Sequence, residues 1–311
     1  MSSLRERYSL TLAVPAPRRT LKAAISAVGR GLHSGANVTM ALKPAETGTG
    51  IIFRRTDLEQ NIPARFDHVS DTRLCTMLAA GDAKIGTVEH LMAALSAAGI
   101  DDMLVEVNAP ELPVFDGSAA PFLFLIESAG VIEHDGLRER LEILRPVRVE
   151  HGDAFAELRP HGEGGAGFDI SLSIEFACAA IGAQAYHFHL SAEGFAAEIA
   201  SARTFTQRGE IEALRKAGLA QGGSLANAIV VDGAEVLNPE GLRYRDEFVR
   251  HKLLDVIGDL ALAGAPISGR FIGSRTGHAL NNQLLRAVFA DQANYRLVNG
   301  AVAAPLQLTV A

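Results

Sequence analysis

The sequence predicts an α+β protein of two successive domains, and three observations predict it. Alternating or continuous apolar runs lie between Gly- and Pro-rich turns, as strands do. Each group of such runs leads into segments with apolar residues at helical spacing. That order occurs twice in 311 residues, 48% of them hydrophobic and 21% charged, which suits two domains of ordinary size.

In the first half, Thr20–Ala27, Asn37–Leu42 and Gly50–Arg54 read as strands. Val88–Ala98 is a helix that stops at Gly99, a residue suited to the C′ position. Met103–Val107 is a strand, and Ala119–Ala129 a helix after the turn Asp116-Gly117-Ser118. In the second half, Leu144–Val149, Ala154–Leu158, Phe168–Ile174 and Ala185–His189 are strands, followed by a helix at Ala192–Ile199. A polar to Gly-rich section from Thr204 to Ser224 holds a helical piece, Glu210–Ala217. Ala228–Val231 is a short strand, Phe248–Ala263 the longest helix, Ile267–Gly273 a strand and His278–Ala290 the last helix. The halves meet near Glu139–Leu144, giving a first domain at 19–140 and a second at 141–296. Residues 1–18 read as a disordered leader. The tail 297–311 has weak signals, with Ala301–Val310 an edge-strand candidate.

Composition narrows the function. A net charge of −7 and a pI near 5.8 give no basic face of the kind nucleic-acid binders carry, so nucleic acid is not expected as a partner. Cys75 and Cys178 are too far apart for a C-x-x-C motif and too few for a disulfide framework, which suits a reducing cytoplasm. Tyr8–Ala16 imitates the apolar core of a signal peptide, but Thr11 and Pro15 interrupt it. No run approaches the roughly 18 apolar residues of a membrane span.

The chemistry-bearing residues fall in three segments. In Phe248–Leu260, His251, Asp255 and Asp259 stand at i, i+4 and i+8 and share a helix face, with Leu253, Leu254, Ile257 and Leu260 on the core side. An imidazole and a carboxylate one turn apart can share a metal ion, although a surface His–Asp pair explains this segment alone more simply. In Gly86-Thr87-Val88-Glu89-His90-Leu91, Thr87 is the expected N-cap and presents Glu89 and His90 in the first turn. His90 would supply a third ligand and Glu89 a base for water in the open fourth position. In Gly273–Asn282, His278 opens a helix after a strand. If protonated, it can stabilise an oxyanion and protonate a leaving amine, with Asp259 available to hold it charged. A structural hydrogen bond at a helix start is the alternative there. His187 and His189 share a strand face but have no third ligand at a recognisable spacing, and His68, His134, His151 and His161 read as surface residues.

Taken together, these segments resemble the UDP-3-O-acyl-N-acetylglucosamine deacetylases of lipid A synthesis. Gly31-Leu32-His33-Ser34-Gly35, Asp71–Thr76, Val107–Phe122, Ala202-Arg203-Thr204-Phe205, Gly222-Gly223-Ser224 and Asp246–Lys252 also agree, in unbroken order from about Arg19 to Phe289. Arg30 departs from the family's usual apolar residue. The resemblance implies two similar domains, each a sheet packed against helices, with the active site between them. It implies one Zn²⁺ per chain on His90, His251 and Asp255, Glu89 as general base and His278 as general acid. Thr204 would bond the oxyanion, Asp259 would pair with His278, and Lys252 would bind the nucleotide-sugar. An insert near 205–224, with Phe205, Ile211, Leu214 and Leu219, would form an apolar passage for the substrate's acyl chain, unless these residues only pack a small helix.

The expected partner is therefore the acylated UDP-sugar, met by a monomer with no stable membrane insertion. Alternatives are a zinc amidase for another acylated sugar or nucleoside, a binding protein that has lost catalysis, and a small-molecule kinase. The last lacks a Gly-rich phosphate loop opening a helix, since Gly222-Gly223-Ser224 is short and leads to a strand. Iron(II) would tolerate the same ligand set.

Overall fold

The computed structural model describes residues 13–162, 165–299 and 301–303. The first sheet contains β1 (Ile25–Arg30), β2 (Asn37–Pro44), β3 (Ile51–Arg55), β4 (Gln60–Pro63) and β5 (Met103–Val107), in the order β1-β2-β5-β3-β4. β5 runs antiparallel to β2 and parallel to β3. Its residues alternate, with Met103, Val105 and Val107 buried, so one face of the sheet meets the helices. The helices of this half are α1 (Glu89–Ala98) and α2 (Ala120–Ala129). Gly99 caps α1 at φ 69°, in the left-handed region that favours glycine.

The second sheet contains β6 (Glu139–Ile143), β7 (Val147–His151), β8 (Ala154–Arg159), β9 (Phe168–Glu175), β10 (Ala183–His189), β11 (Ile267–Ser274) and β12 (Tyr295–Asn299). β11 is central: it is antiparallel to β8 and parallel to β9 and β6. The helices of this half are α3 (Arg208–Lys216), α4 (Glu247–Ala261) and α5 (His278–Phe289). Leu253, Leu254, Ile257 and Leu260 of α4 are buried in the core, as the helical spacing requires. The stretch Ala192–Ile199 is helical with a π turn over Phe195–Ile199.

Several sequence readings shift. Thr20–Ala27 is not one strand but two, Pro17–Leu21 and β1, broken at residues 22–24. Leu144–Val149 moves to β7, because Leu144 and Arg145 lie outside the strand and Pro146 follows them. Short strands at Val69–Asp71, Met77–Ala80 and Ala83–Ile85, and β4 and β6, carry no clear period. Val131–Leu137 pairs with Pro17–Leu21, although its Glu-His-Asp-Gly run reads as a loop. Residues 13–15 and 17–18 of the expected leader are in strands joined at residue 16, and residues 1–12 lie outside the described residues. Ala301–Ala303 pairs with Ala13–Pro15, and the remainder of the expected edge strand again lies outside them.

Candidate metal centre

α1 and α4, one from each half, cross at close range, and Gly258 permits it. A Cβ at Gly258 would stand 2.0 Å from the carbonyl oxygen of Glu89 and 3.0 Å from its Cα. The crossing brings His90 to His251 and Asp255. Their ring centroids are 5.0 Å apart and nearly perpendicular. Asp255 Oδ1 lies 3.4 Å from His251 Nε2 and 3.8 Å from His90 Nε2. All three residues are 3% exposed, which rules out the simpler surface-pair explanation.

The donor atoms fit a metal ion. Ligand bonds of about 2.0–2.1 Å in a tetrahedral shell place neighbouring donors roughly 3.3–3.5 Å apart. Asp255 Oδ1 is buried with no hydrogen-bond partner, a costly state for a carboxylate oxygen unless a cation meets it. Among the described residues, these three form the one group of His, Cys, Asp or Glu whose ligand atoms converge. His251 Nδ1–H donates to the Ala202 carbonyl at 3.0 Å, which fixes the tautomer and leaves Nε2 with its lone pair. Lys252 Nζ donates to Asp255 Oδ2 at 2.8 Å and so turns Oδ1 inward.

Electrostatics agree with a ligand role. Burial, then the neighbouring His251, lowers His90 to about 3, and burial likewise lowers His251, so both are neutral as ligands must be. Burial alone would raise Asp255, but Lys252 and the surrounding histidines outweigh it and keep the carboxylate ionised.

Two further groups flank the cluster. Glu89 is 3% exposed, and burial, with Asp255 and Asp259 nearby, pushes it up to about 8. Its Oε2 accepts the Thr76 backbone N–H at 3.1 Å. His278 starts α5, with Nδ1 2.9 Å from Asp259 Oδ2. Burial would discharge this imidazole, but the charge and hydrogen bond of Asp259, with Asp255 and Glu89, hold it up to about 9.

Thr204 and Phe205 follow closely after Ala202, whose carbonyl accepts from His251 Nδ1. Thr204 is held by its backbone, N–H to the Gly117 carbonyl and C=O from the Ile229 N–H, each at 2.8 Å. Phe205 packs edge-on against Phe248 at 5.0 Å and lies 6.2 Å from the His251 ring. Arg203, between them and Ala202, is fully buried and bonds Glu247 of α4 at 2.9 Å, anchoring this segment to the ligand helix.

Thr87 is not the N-cap of α1. It has φ 58°, and its hydroxyl donates to Glu111 Oε1 at 3.0 Å instead of to the helix. The N-cap position belongs to Val88. Glu111 also accepts from the N–H groups of His33 and Ser34, which ties the 31–35 loop to the start of α1. Both ring nitrogens of His33 are buried without partners, and burial and the nearby His278 lower its pKa. His187 and His189 bond Ser171 and Asp169 and do not converge on a ligand position. Sequence reasoning missed the roles of Thr76, Asn281, Glu111 and Gly258. Only Gly258 gave a signal, as a glycine inside a helical apolar pattern.

Buried His, His and Asp donors that can hold a metal ion, beside Glu89 and the His278–Asp259 pair, are a set suited to metal-assisted hydrolysis. A family model described as UDP-3-O-acyl N-acetylglycosamine deacetylase matches residues 18–290, and the chain belongs to that family. Proteins named UDP-3-O-acyl-N-acetylglucosamine deacetylase resemble it along most of their length. One from Myxococcus xanthus is 49% identical over 90% of this chain and 89% of its own. One from Sodalis glossinidius is 49% identical over 90% and 92%, and one from Shewanella sp. strain W3-18-1 is 48% identical over 91% and 92%.

Proposed function

We propose that this protein hydrolyses the acetamide of UDP-3-O-acyl-N-acetylglucosamine to the free amine and acetate, the committed step of lipid A synthesis, with one Zn²⁺ on His90, His251 and Asp255. The observation that carries the reading is the convergence of those three buried donors with Glu89 and the His278–Asp259 pair. Family membership and the names of the relatives support the substrate.

When bound, the ion supplies Lewis acidity toward water and the acetamide carbonyl at an open coordination position. Glu89 accepts a proton from the attacking water, and its raised pKa matches it to that exchange near neutral pH. His278 enters as the cation, because the Asp259 carboxylate that accepts its Nδ1–H favours the charged ring, and this leaves the Nε2–H to donate. It stabilises the oxyanion together with the Thr204 hydroxyl and then protonates the departing nitrogen. Lys252 reads the nucleotide-sugar while it also orients Asp255.

The acyl chain runs along the insert at 205–224. No residue of α3 is buried, and the half-buried Ile211, Leu214 and Leu219 offer an apolar surface there, which supports this reading. The proposed division into domains at 19–140 and 141–296 separates the two sheets except at its edges, where β6 (Glu139–Ile143) spans the boundary and β12 (Tyr295–Asn299) runs past 296. The chain acts in the cytoplasm as a monomer. Both cysteines are free, and no described helix is long and apolar enough to cross a membrane.

Acetate release from the acylated UDP-sugar, compared with simple acetamides, tests the assignment. A preference for the simple amides would move it to a different zinc amidase.

A further inference from the structure

We infer that Thr76 is a positioning residue that joins the base to the partner of the acid across the two halves. This rests on the roles proposed for Glu89 and His278. The Thr76 backbone N–H donates to Glu89 Oε2 at 3.1 Å, and its hydroxyl donates to Asp259 Oδ1 at 2.5 Å. Its carbonyl receives the Val88 N–H at 3.4 Å, just before Glu89. All three polar groups of this residue, 2% exposed, are thus spent on the machinery.

Asp259 is held from the other side by α5. Asn281 Nδ2 donates to Asp259 Oδ2 at 2.8 Å, and Asn281 Oδ1 accepts the Thr276 hydroxyl at 2.9 Å. Asn281 is fully buried and one turn after His278. The Asp259 carboxylate therefore has three protein donors in fixed directions: Thr76 on Oδ1, and Asn281 and His278 on Oδ2. A carboxylate fixed in this way cannot rotate, so the direction of the His278 ring is set by Thr76 in the first half and Asn281 in the second. Because Thr76 also holds Glu89, one residue links the position of the base to that of the acid.

The test uses Thr76→Val, which keeps the backbone donor and side-chain shape and removes the hydroxyl, assayed on the metal-loaded enzyme. A lost hydrogen bond to a buried charge corresponds to a fall in kcat of roughly 10- to 100-fold. KM and metal content should stay within about twofold, and Thr76→Ser should restore most of kcat by the same donor argument. In a His278→Ala background, Thr76→Val should have little further effect, since the hydroxyl acts through Asp259 on His278. Asn281→Ala removes a second donor and must show the same selective loss of kcat, so the inference is still tested if Thr76→Val does not fold. Unchanged kcat in Thr76→Val, a loss confined to KM, or full additivity with His278→Ala overturns it. Activity surviving in His278→Ala alone would instead overturn the acid assignment and leave the geometry of Thr76 unexplained.

Discussion

The Cα of Gly258 in α4 abuts the backbone of Glu89 in α1 so closely that a Cβ would stand 2.0 Å from the Glu89 carbonyl oxygen. The obstacle is backbone, which cannot swing aside as a side-chain tip does. Gly258→Ala must push α1 from α4 and so separate His90 from His251 and Asp255. Overpacking of this kind costs about 1–3 kcal/mol, and displacing catalytic groups by an ångström costs about 100-fold in rate. Metal titration and thermal melting of this variant should show weaker metal binding and a lower Tm. Wild-type metal affinity would mean that the helices do not depend on that contact.

His278 gives the protein a pH signature. Its pKa is raised from an ordinary 6.5 to about 9, so the stability it adds is fully present below 6.5 and is lost as pH rises through about 9. Urea unfolding of the metal-free protein should show that loss on the alkaline side, and His278→Gln should reduce it. In the loaded enzyme, kcat/KM should fall above about 9 as the acid loses its proton. An alkaline limb that persists unchanged in His278→Gln would assign it to another group.

Arg203 and Glu247 form an ion pair with side chains 2% and 0% exposed. Breaking a buried pair costs about 3–5 kcal/mol when the remaining charge has no other partner, and the Glu240 carboxylate 2.6 Å from Arg203 places Glu247→Gln at the low end of that range. Glu247→Gln should show that loss in denaturant unfolding, and activity should fall as well, because Arg203 lies between the carbonyl that holds His251 and Thr204. A loss below about 1 kcal/mol would show that water enters this contact and screens it.

Ligand and acid variants should separate cleanly. His251→Ala removes a donor and should lower metal content. His278→Ala should leave metal bound while turnover falls by the equivalent of about 2.7–4 kcal/mol, the cost of a lost oxyanion donor. Equal metal loss in both would show that His278 takes part in binding the ion.

The elements that carry these residues were legible in the sequence because their signals are local. His251, Asp255 and Asp259 follow helical spacing on a long helix, and Glu89-His90 and His278 open helices at turns. What sequence periodicity could not supply was the distance between halves. Nothing local shows that Gly258 lies under Glu89, or that Thr76 reaches Asp259 183 positions away. Thr87 illustrates the same limit. Its type and place are those of an N-cap, yet a distant acceptor, Glu111, takes its hydroxyl and the backbone turns left-handed. Strands such as Val131–Leu137, exposed and rich in charge, have little apolar pattern to read.

Metal analysis of the purified protein, paired with acetate release from UDP-3-O-acyl-N-acetylglucosamine, tests most directly whether a metal site assembled between the halves cleaves the acetamide of the acylated UDP-sugar. The expected result is about one zinc per chain on three protein ligands, and activity that a chelator removes and zinc restores. One equivalent of zinc with no acetate released from that substrate would contradict the assigned reaction, and activity indifferent to metal removal would contradict the site itself.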